Sequence, residues 1–189
     1  MGYSKEHIEH TRKQILQSAG RLMRKQGYEG TSVSKVMADA GLTHGGFYAH
    51  FDSKESLFQA VVAEEFDFNN QLIRLAATDL NDQEQLVEAI SQYLNPDRKN
   101  TIANACTMAS SAVDIQRVGK PAQNGFTKAF KQFLKTFQKL MPDDEPEEAH
   151  RHALGAVATC VGALILARAI SDKDLQRDLL ASAVAHTVK

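Results

Sequence analysis

The stretch that decides the fold reads Gly41-Leu42-Thr43-His44-Gly45-Gly46-Phe47-Tyr48. It begins with a glycine that can end one helix, continues with a threonine that can cap the next, and then carries two aromatic residues. This order predicts a tight corner between a short helix before Gly41 and another, of about two turns, after Thr43. The adjacent Gly45 and Gly46 weaken the second of these helices by about 1 kcal/mol each relative to alanine.

Apolar residues recur at helical spacing on both sides of this corner, and no run shows the strict alternation of a β-strand. A first helix is expected to end at Gly27, where glycine suits a left-handed cap, and a second to start from Thr31 or Ser32. A long fourth helix follows from Ser53. Later helices are bounded by Pro96, by Gly119-Lys120-Pro121, by Pro142 and by Ser171-Asp172.

The sequence therefore predicts an all-α protein of about nine helices. Residues 1–54 are expected to form a three-helix helix-turn-helix domain, and residues 55–189 a larger helical domain. Three short helices with a glycine at the second corner are the simplest arrangement that presents one helix to the major groove of DNA, which is about 12 Å wide.

The composition is that of an ordinary globular chain, with 43% apolar residues, 22 Lys and Arg, and 23 Asp and Glu among 189 residues. Any affinity for nucleic acid must be local, because the total charge is close to zero. Two cysteines, Cys106 and Cys160, are too few for a disulfide scaffold and predict a cytoplasmic protein. The nearly apolar run Ala153–Ala167 is shorter than the roughly 18 residues of a membrane span, so a buried helix is expected.

Three segments between Gly27 and Leu57 resemble the N-terminal domain of the TetR/AcrR family of transcriptional regulators. They read Gly-Tyr-Glu-Gly-Thr-Ser-Val, Val-Met-Ala-Asp-Ala-Gly-Leu-Thr and Phe-Tyr-Ala-His-Phe-Asp-Ser-Lys-Glu-Ser-Leu. The resemblance implies a regulator, in most cases a repressor, that binds a palindromic double-stranded DNA operator as a homodimer. It also implies a small-molecule effector bound by the C-terminal domain, and neither a cofactor nor a metal ion is expected.

The resemblance assigns phosphate contacts to the second helix and base contacts to the short third helix. The phenolic hydroxyl of Tyr48 can reach a phosphate, and Lys54 stands at a helix N-terminus that favours an anion. His44 departs from the Lys or Arg common in the family, and Gly46 from Thr or Ala. His50 is a candidate DNA contact, with the alternative that its ring packs beside Phe51. The predicted DNA-binding residues are Thr31, Ser32, Lys35, Thr43, His44, Gly45, Gly46, Tyr48, His50 and Lys54.

Aromatic and apolar residues of the C-terminal domain are candidate walls of an effector cavity, with the alternative that they form packed core. The predicted effector or sensor residues are Phe68, Leu72, Tyr93, Cys106, Met108, Phe126, Phe130 and Phe133. Cys106 shares a helical face with Ala109 and Val113, which favours a buried thiol. A helix start preceded by basic residues would instead make it reactive, and a branch of the family senses electrophiles or oxidants through a cysteine at this place.

Small residues between Gly155 and Ala169, together with the final helix, predict a four-helix dimer interface. Two other classes of function fit the sequence less well. An enzyme is disfavoured because the chain shows neither paired carboxylates nor a Ser/His/Asp grouping. A helical interaction module without DNA affinity would lack salt-dependent binding to duplexes.

Overall fold

The computed structural model describes residues 4–76, 82–94, 107–141 and 145–188. Helices make up nearly all of this part of the chain, and it contains no strand, which confirms the all-α prediction. The α-helices are α1 Lys5–Gly30, α2 Val33–Asp39, α3 Lys54–Ala76, α4 Asp82–Leu94, α5 Thr107–Val118, α6 Lys120–Phe137, α7 Pro146–Ala169 and α8 Lys173–Thr187. Two short 3-10 helices occupy His44–Ala49 and Gln138–Leu140.

The chain divides into two compact units. The first takes its residues from Met1–Glu65 and Thr101–Thr127, and the second from Phe66–Asn100 and Lys128–Lys189. Helix α5 therefore belongs to the same unit as α1, α2 and the first half of α3, although the segment Phe66–Asn100 of the other unit separates them in sequence. The division into functional domains at residues 54 and 55 stays a prediction.

The core of the first unit is formed by the apolar faces of its helices. Its most deeply buried side chains are Ile15, Ala19, Met23, Val36, Met37, Phe47, Leu57 and Phe58. Arg24 of α1 and Glu65 of α3 form an ion pair beside this core. The position of Gly20 between them is tight, since a Cβ there would lie 3.0 Å from the Arg24 guanidinium.

Glycines end the first two helices, as the sequence predicts. Gly27 has φ 76° and ψ 172°, which breaks α1, and one further helical turn continues to Gly30. Gly41 has φ 71° and follows α2. Positive φ is disfavoured for residues with a side chain, so both positions favour glycine.

Hydroxyl side chains begin the next helices. Ser32 caps α2, because its Oγ accepts a hydrogen bond from the Lys35 N–H at 3.2 Å. Ser53 and Ser56 cap α3 reciprocally: each side-chain oxygen accepts from the other's backbone N–H at 3.1 Å. These bonds satisfy N–H groups that have no partner within the helix.

Two predictions about local structure are wrong. The third helix begins after Thr43 as predicted and is a 3-10 helix, but the Thr43 side chain makes no capping bond with the described residues; the Thr43 carbonyl accepts from the Gly46 N–H at 3.1 Å. The two glycines favour this short, tight form. In α5, Val113 is 61% exposed, whereas Met108, Ser111 and Ile115 face inward. The buried face is thus rotated from the one predicted.

The second unit contains α4, α7 and α8, with α6 contributing aromatic residues. Helices α7 and α8 pack along each other and α4 contacts both. Cys160 of α7 is buried, as predicted, and burial raises the pKa of its thiol to about 11. Among the described residues, α7 is long and apolar enough to cross a membrane, a criterion that core helices of soluble proteins also meet.

Candidate nucleic-acid interface

The 3-10 helix His44–Ala49 presents one edge to solvent and is anchored by the opposite side. Phe47 is fully buried and stacks with Phe51, with ring centroids 5.8 Å apart and planes 27° from parallel. Thr43, His44 and Gly45, by contrast, are exposed, and Gly46 is half-buried. The four residues predicted to contact bases therefore lie together on the outer edge of this helix.

Tyr48 stands beside this edge with 63% of its surface exposed. Its ring meets Phe47 edge-to-face at a centroid distance of 5.2 Å and His44 at 6.2 Å. Such pairs are favourable geometries for aromatic rings. Packing thus orients the Tyr48 ring while the side chain remains accessible to a ligand.

Of the residues predicted in α2, two are exposed and one is not. Ser32 and Lys35 lie on the surface, and the Lys35 ammonium donates to the Gly30 carbonyl at 2.9 Å. Thr31 is fully buried, and its hydroxyl donates to the Gly27 carbonyl at 2.9 Å. The prediction that Thr31 contacts a phosphate is therefore wrong, because its hydroxyl satisfies a carbonyl at the break in α1.

Lys54, the first residue of α3, lies over an aromatic ring. Its ammonium is 3.9 Å from the centroid of Tyr28, a cation–π contact. The Tyr28 hydroxyl donates to Glu55 at 2.9 Å. Burial and the neighbouring Glu55 raise the pKa of Tyr28. Hydrogen bonds lower the pKa of Glu55: the largest effect comes from its own backbone N–H, and smaller ones come from the side chains of Ser53 and Tyr28.

His50 lies at the end of the 3-10 helix and is half-buried. The Arg12 guanidinium donates to the His50 carbonyl and stacks over Phe51 at 4.0 Å. The imidazole Nδ1 is buried without a hydrogen-bond partner in the described part of the chain. Burial lowers the pKa of His50, and the charges of Arg12 and His7 lower it further. A DNA contact for His50 stays a prediction.

The candidate effector residues do not all fall in one unit. Met108 and Phe126 belong to the first, whereas Tyr93, Phe130 and Phe133 belong to the second. There Phe66 packs against Phe130 and Phe133, at centroid distances of 6.3 and 5.8 Å. Cys106 and the side chains of Phe68 and Leu72 lie outside the described residues.

Sequence reasoning missed three side chains that the structure makes prominent. Arg12 and Asp114 contact residues 38 and 86 positions away, so no local pattern indicates their partners. Asn70 of α3 is 7% exposed, and its side-chain oxygen has no hydrogen-bond partner among the described residues. Its position at helical spacing from Phe66 is the signal that could have placed it inside. The described residues contain no cluster of three side chains suited to a metal ion.

Comparison with known proteins adds the family to this geometry. Residues 15–61, which include α2, the 3-10 helix and the start of α3, match the family described as bacterial regulatory proteins, tetR family. This segment of the chain is therefore similar to the DNA-binding domain of TetR-family regulators. The match supports a DNA-binding transcriptional regulator, and the interface described above lies within the matched segment.

Individual relatives are distant. The HTH-type transcriptional repressor DhaR from Mycobacterium sp. strain GP1 is 24% identical over 144 residues, covering 76% of this chain and 71% of DhaR. The regulator TtgR from Pseudomonas putida is 32% identical over 76 residues, which are 40% of this chain and 36% of TtgR. The reduced form of NemR from E. coli shares the fold with a TM-score of 0.81 at 18% identity, over 94% and 95% of the two chains.

Proposed function

We propose that this chain is a homodimeric repressor of the TetR family, which binds a palindromic double-stranded DNA operator and releases it when a small-molecule effector binds. One observation carries the DNA-binding part. The exposed edge Thr43–Gly46 is held outward by the buried ring of Phe47, with exposed Tyr48 beside it. An exposed edge on a short, anchored helix is what base reading in the major groove requires.

The side chains of the interface divide into two roles. Ser32, Lys35, Tyr48 and Lys54 carry hydroxyl or ammonium donors and would contact phosphates, which fixes the register of the protein on DNA. Residues 43–46 would contact base edges. A Cβ at Gly45 would meet nothing within 4 Å, so the backbone at this point is free to approach a base pair closely.

The homodimer is supported by an uncovered apolar surface on α7 and α8. Leu154, Ile165 and Leu166 of α7 and Leu175 of α8 are 39–56% exposed. A Cβ at Gly155 or Gly162 would meet open space, so a second helix can approach α7 closely. Two copies joined here would place two reading helices on one operator, about 34 Å apart or a multiple of it.

The second unit is the proposed site of the effector. Asn70 has a buried carbonyl oxygen that could accept a hydrogen bond from a ligand, and it lies one helical turn along α3 from Phe66, which packs against Phe130 and Phe133. The apolar surroundings favour a largely apolar ligand with one donor. A signal sensed through Cys106 stays an alternative hypothesis. Alkylation of Cys106 that leaves operator affinity unchanged would contradict it.

Repression and a cytoplasmic location are the finer parts of the proposal. DhaR is named a transcriptional repressor and TtgR a transcriptional regulator. We therefore propose a role without enzymatic activity, cofactor or membrane partner.

Selection of bound duplexes from a random pool tests the DNA-binding part directly. The purified protein is expected to enrich an inverted repeat. The variant His44→Ala should change the enriched sequence, because it alters the base-reading edge. The matched variant Lys35→Ala should enrich the same sequence with weaker binding, because a phosphate contact carries no sequence information. Absence of any enriched duplex would contradict the proposal.

A further inference from the structure

We propose that Asp114 of α5 is a positioning residue for the phosphate contact of Lys54 and acts through Tyr28. The inference rests on the proposed function, in which Lys54 contacts a phosphate, and it assigns a role to a residue that lies on a different helix. All the residues involved belong to the first compact unit.

A hydrogen bond of Asp114 joins α5 to the break in α1. Immediately after Gly27, the backbone N–H of Tyr28 donates to Oδ2 of Asp114 at 2.8 Å. The Asp114 side chain is only 14% exposed, and its other oxygen lies 3.7 Å from the Arg117 guanidinium. A Cβ at Gly27 would lie 3.3 Å from the same Oδ2, so the glycine leaves the room that this contact needs.

Contacts with Phe58 and Glu55 fix the ring of Tyr28. The residue is 6% exposed, its ring packs on Phe58 at a centroid distance of 5.0 Å, and its hydroxyl donates to Glu55. A backbone anchored by Asp114 and a hydroxyl anchored by Glu55 hold the ring at both ends. Without the bond between Asp114 and the Tyr28 backbone, the ring would be held only through its hydroxyl and its packing on Phe58.

A cation–π contact connects the Tyr28 ring to Lys54. The ammonium lies 3.9 Å from the ring centroid, although the carboxylate of Glu55 is the next side chain along α3. The Tyr28 hydroxyl bonds to Oε1 of that carboxylate, and the ammonium lies over the face of the same ring. A lysine side chain has many rotamers, and holding it in one before DNA arrives reduces the entropic cost of the phosphate contact.

The test measures operator affinity of the full-length protein over a range of salt concentrations, using the duplex obtained by selection. Each phosphate contact contributes about 0.9 to the slope of log K against log salt. Lys54→Ala should therefore flatten the slope by roughly 2 in a dimer with two such contacts. We expect Asp114→Ala to flatten it similarly, and the Asp114→Ala/Lys54→Ala double variant to match Lys54→Ala alone.

Asp114→Asn is the matched control, because it loses the same charge but keeps an oxygen that can accept from Tyr28. It should retain the wild-type slope. If Asn and Ala at this position behave alike, or if the effects of Asp114→Ala and Lys54→Ala are additive, the inference is overturned. A purely structural role would lower the unfolding midpoint without changing the slope.

Tyr28→Leu provides an independent variant should Asp114→Ala fail to fold. It removes the ring under Lys54 and retains the backbone N–H, so the slope should again flatten to that of Lys54→Ala. A wild-type slope in Tyr28→Leu would overturn the inference. Wild-type protein that binds no duplex would instead contradict the proposed function.

Discussion

Glycines of the first unit serve two different purposes. Gly27 and Gly41 have positive φ and permit turns that other residues resist. Gly45 and Gly46 have ordinary φ values, and at Gly45 a side chain would meet nothing within 4 Å. The first pair is needed for the fold, whereas the second pair leaves the reading edge without side chains.

Gly27→Ala should destabilise the protein by about 1–2 kcal/mol, the cost of a left-handed conformation in a residue with a Cβ. The new Cβ would also crowd Asp114 at 3.3 Å. Urea denaturation measures the change. Gly45→Ala is the matched control, for which no loss of stability is expected. Equal stability of Gly27→Ala and wild type would contradict the strain assigned to this position.

The titration of His50 gives a second prediction for a single residue. Its folded-state pKa lies below the ordinary value of about 6.5, because burial, Arg12 and His7 disfavour the charged imidazole. Its contribution to stability is therefore fully present above pH 6.5 and is lost as the pH falls through the folded-state pKa. The thermal midpoint of wild type should drop more between pH 7.5 and pH 5.5 than that of His50→Gln. An equal drop in both proteins would contradict this.

At the scale of helices, sequence patterns were most informative where the physics is local. Gly41, the Ser32 cap and Asp172, whose carboxylate accepts from two N–H groups of α8, all follow from their immediate neighbours. Thr31 was misassigned because its partner, the Gly27 carbonyl, is exposed only by the break in α1. The face of α5 was misassigned because packing against α1, rather than apolar content, decides which side is buried.

Ser53→Ala should destabilise the start of α3 by about 1 kcal/mol, because the cap of the Ser56 N–H is lost. Lys54 is the first residue of this helix, so operator affinity should also fall. Chemical denaturation and fluorescence anisotropy measure the two effects. Thr127→Ala removes an exposed hydroxyl that donates to the Gln123 carbonyl in its own helix, and it should change neither quantity appreciably.

At the scale of the whole molecule, the sequence indicated the family and the helix order but not how distant segments combine. The placement of α5 in the first unit rests on contacts such as Asp114 with Tyr28, which are 86 residues apart. Sequence spacing carries no record of such a pairing. The same is true of Met108 and Tyr93, which are both predicted effector residues but fall in different units.

The dimer predicts that Leu166→Glu produces a monomer. Leu166 is 56% exposed on α7, and a charge there would have to be buried in the interface. Analytical ultracentrifugation should show half the wild-type mass, and affinity for the inverted repeat should fall sharply. Val113→Gln, at an exposed apolar residue of α5, should leave the mass unchanged. A dimeric Leu166→Glu variant would place the interface elsewhere.

The most direct measurement is the affinity of the Tyr48→Phe/Lys54→Ala double variant for the selected operator, determined by fluorescence anisotropy at fixed salt. Binding should weaken at least about tenfold, because each protomer of the dimer loses two phosphate contacts. Lys131→Ala, which removes an exposed charge from α6, should bind as wild type does. Unchanged affinity in the double variant would contradict the assignment of this surface to DNA.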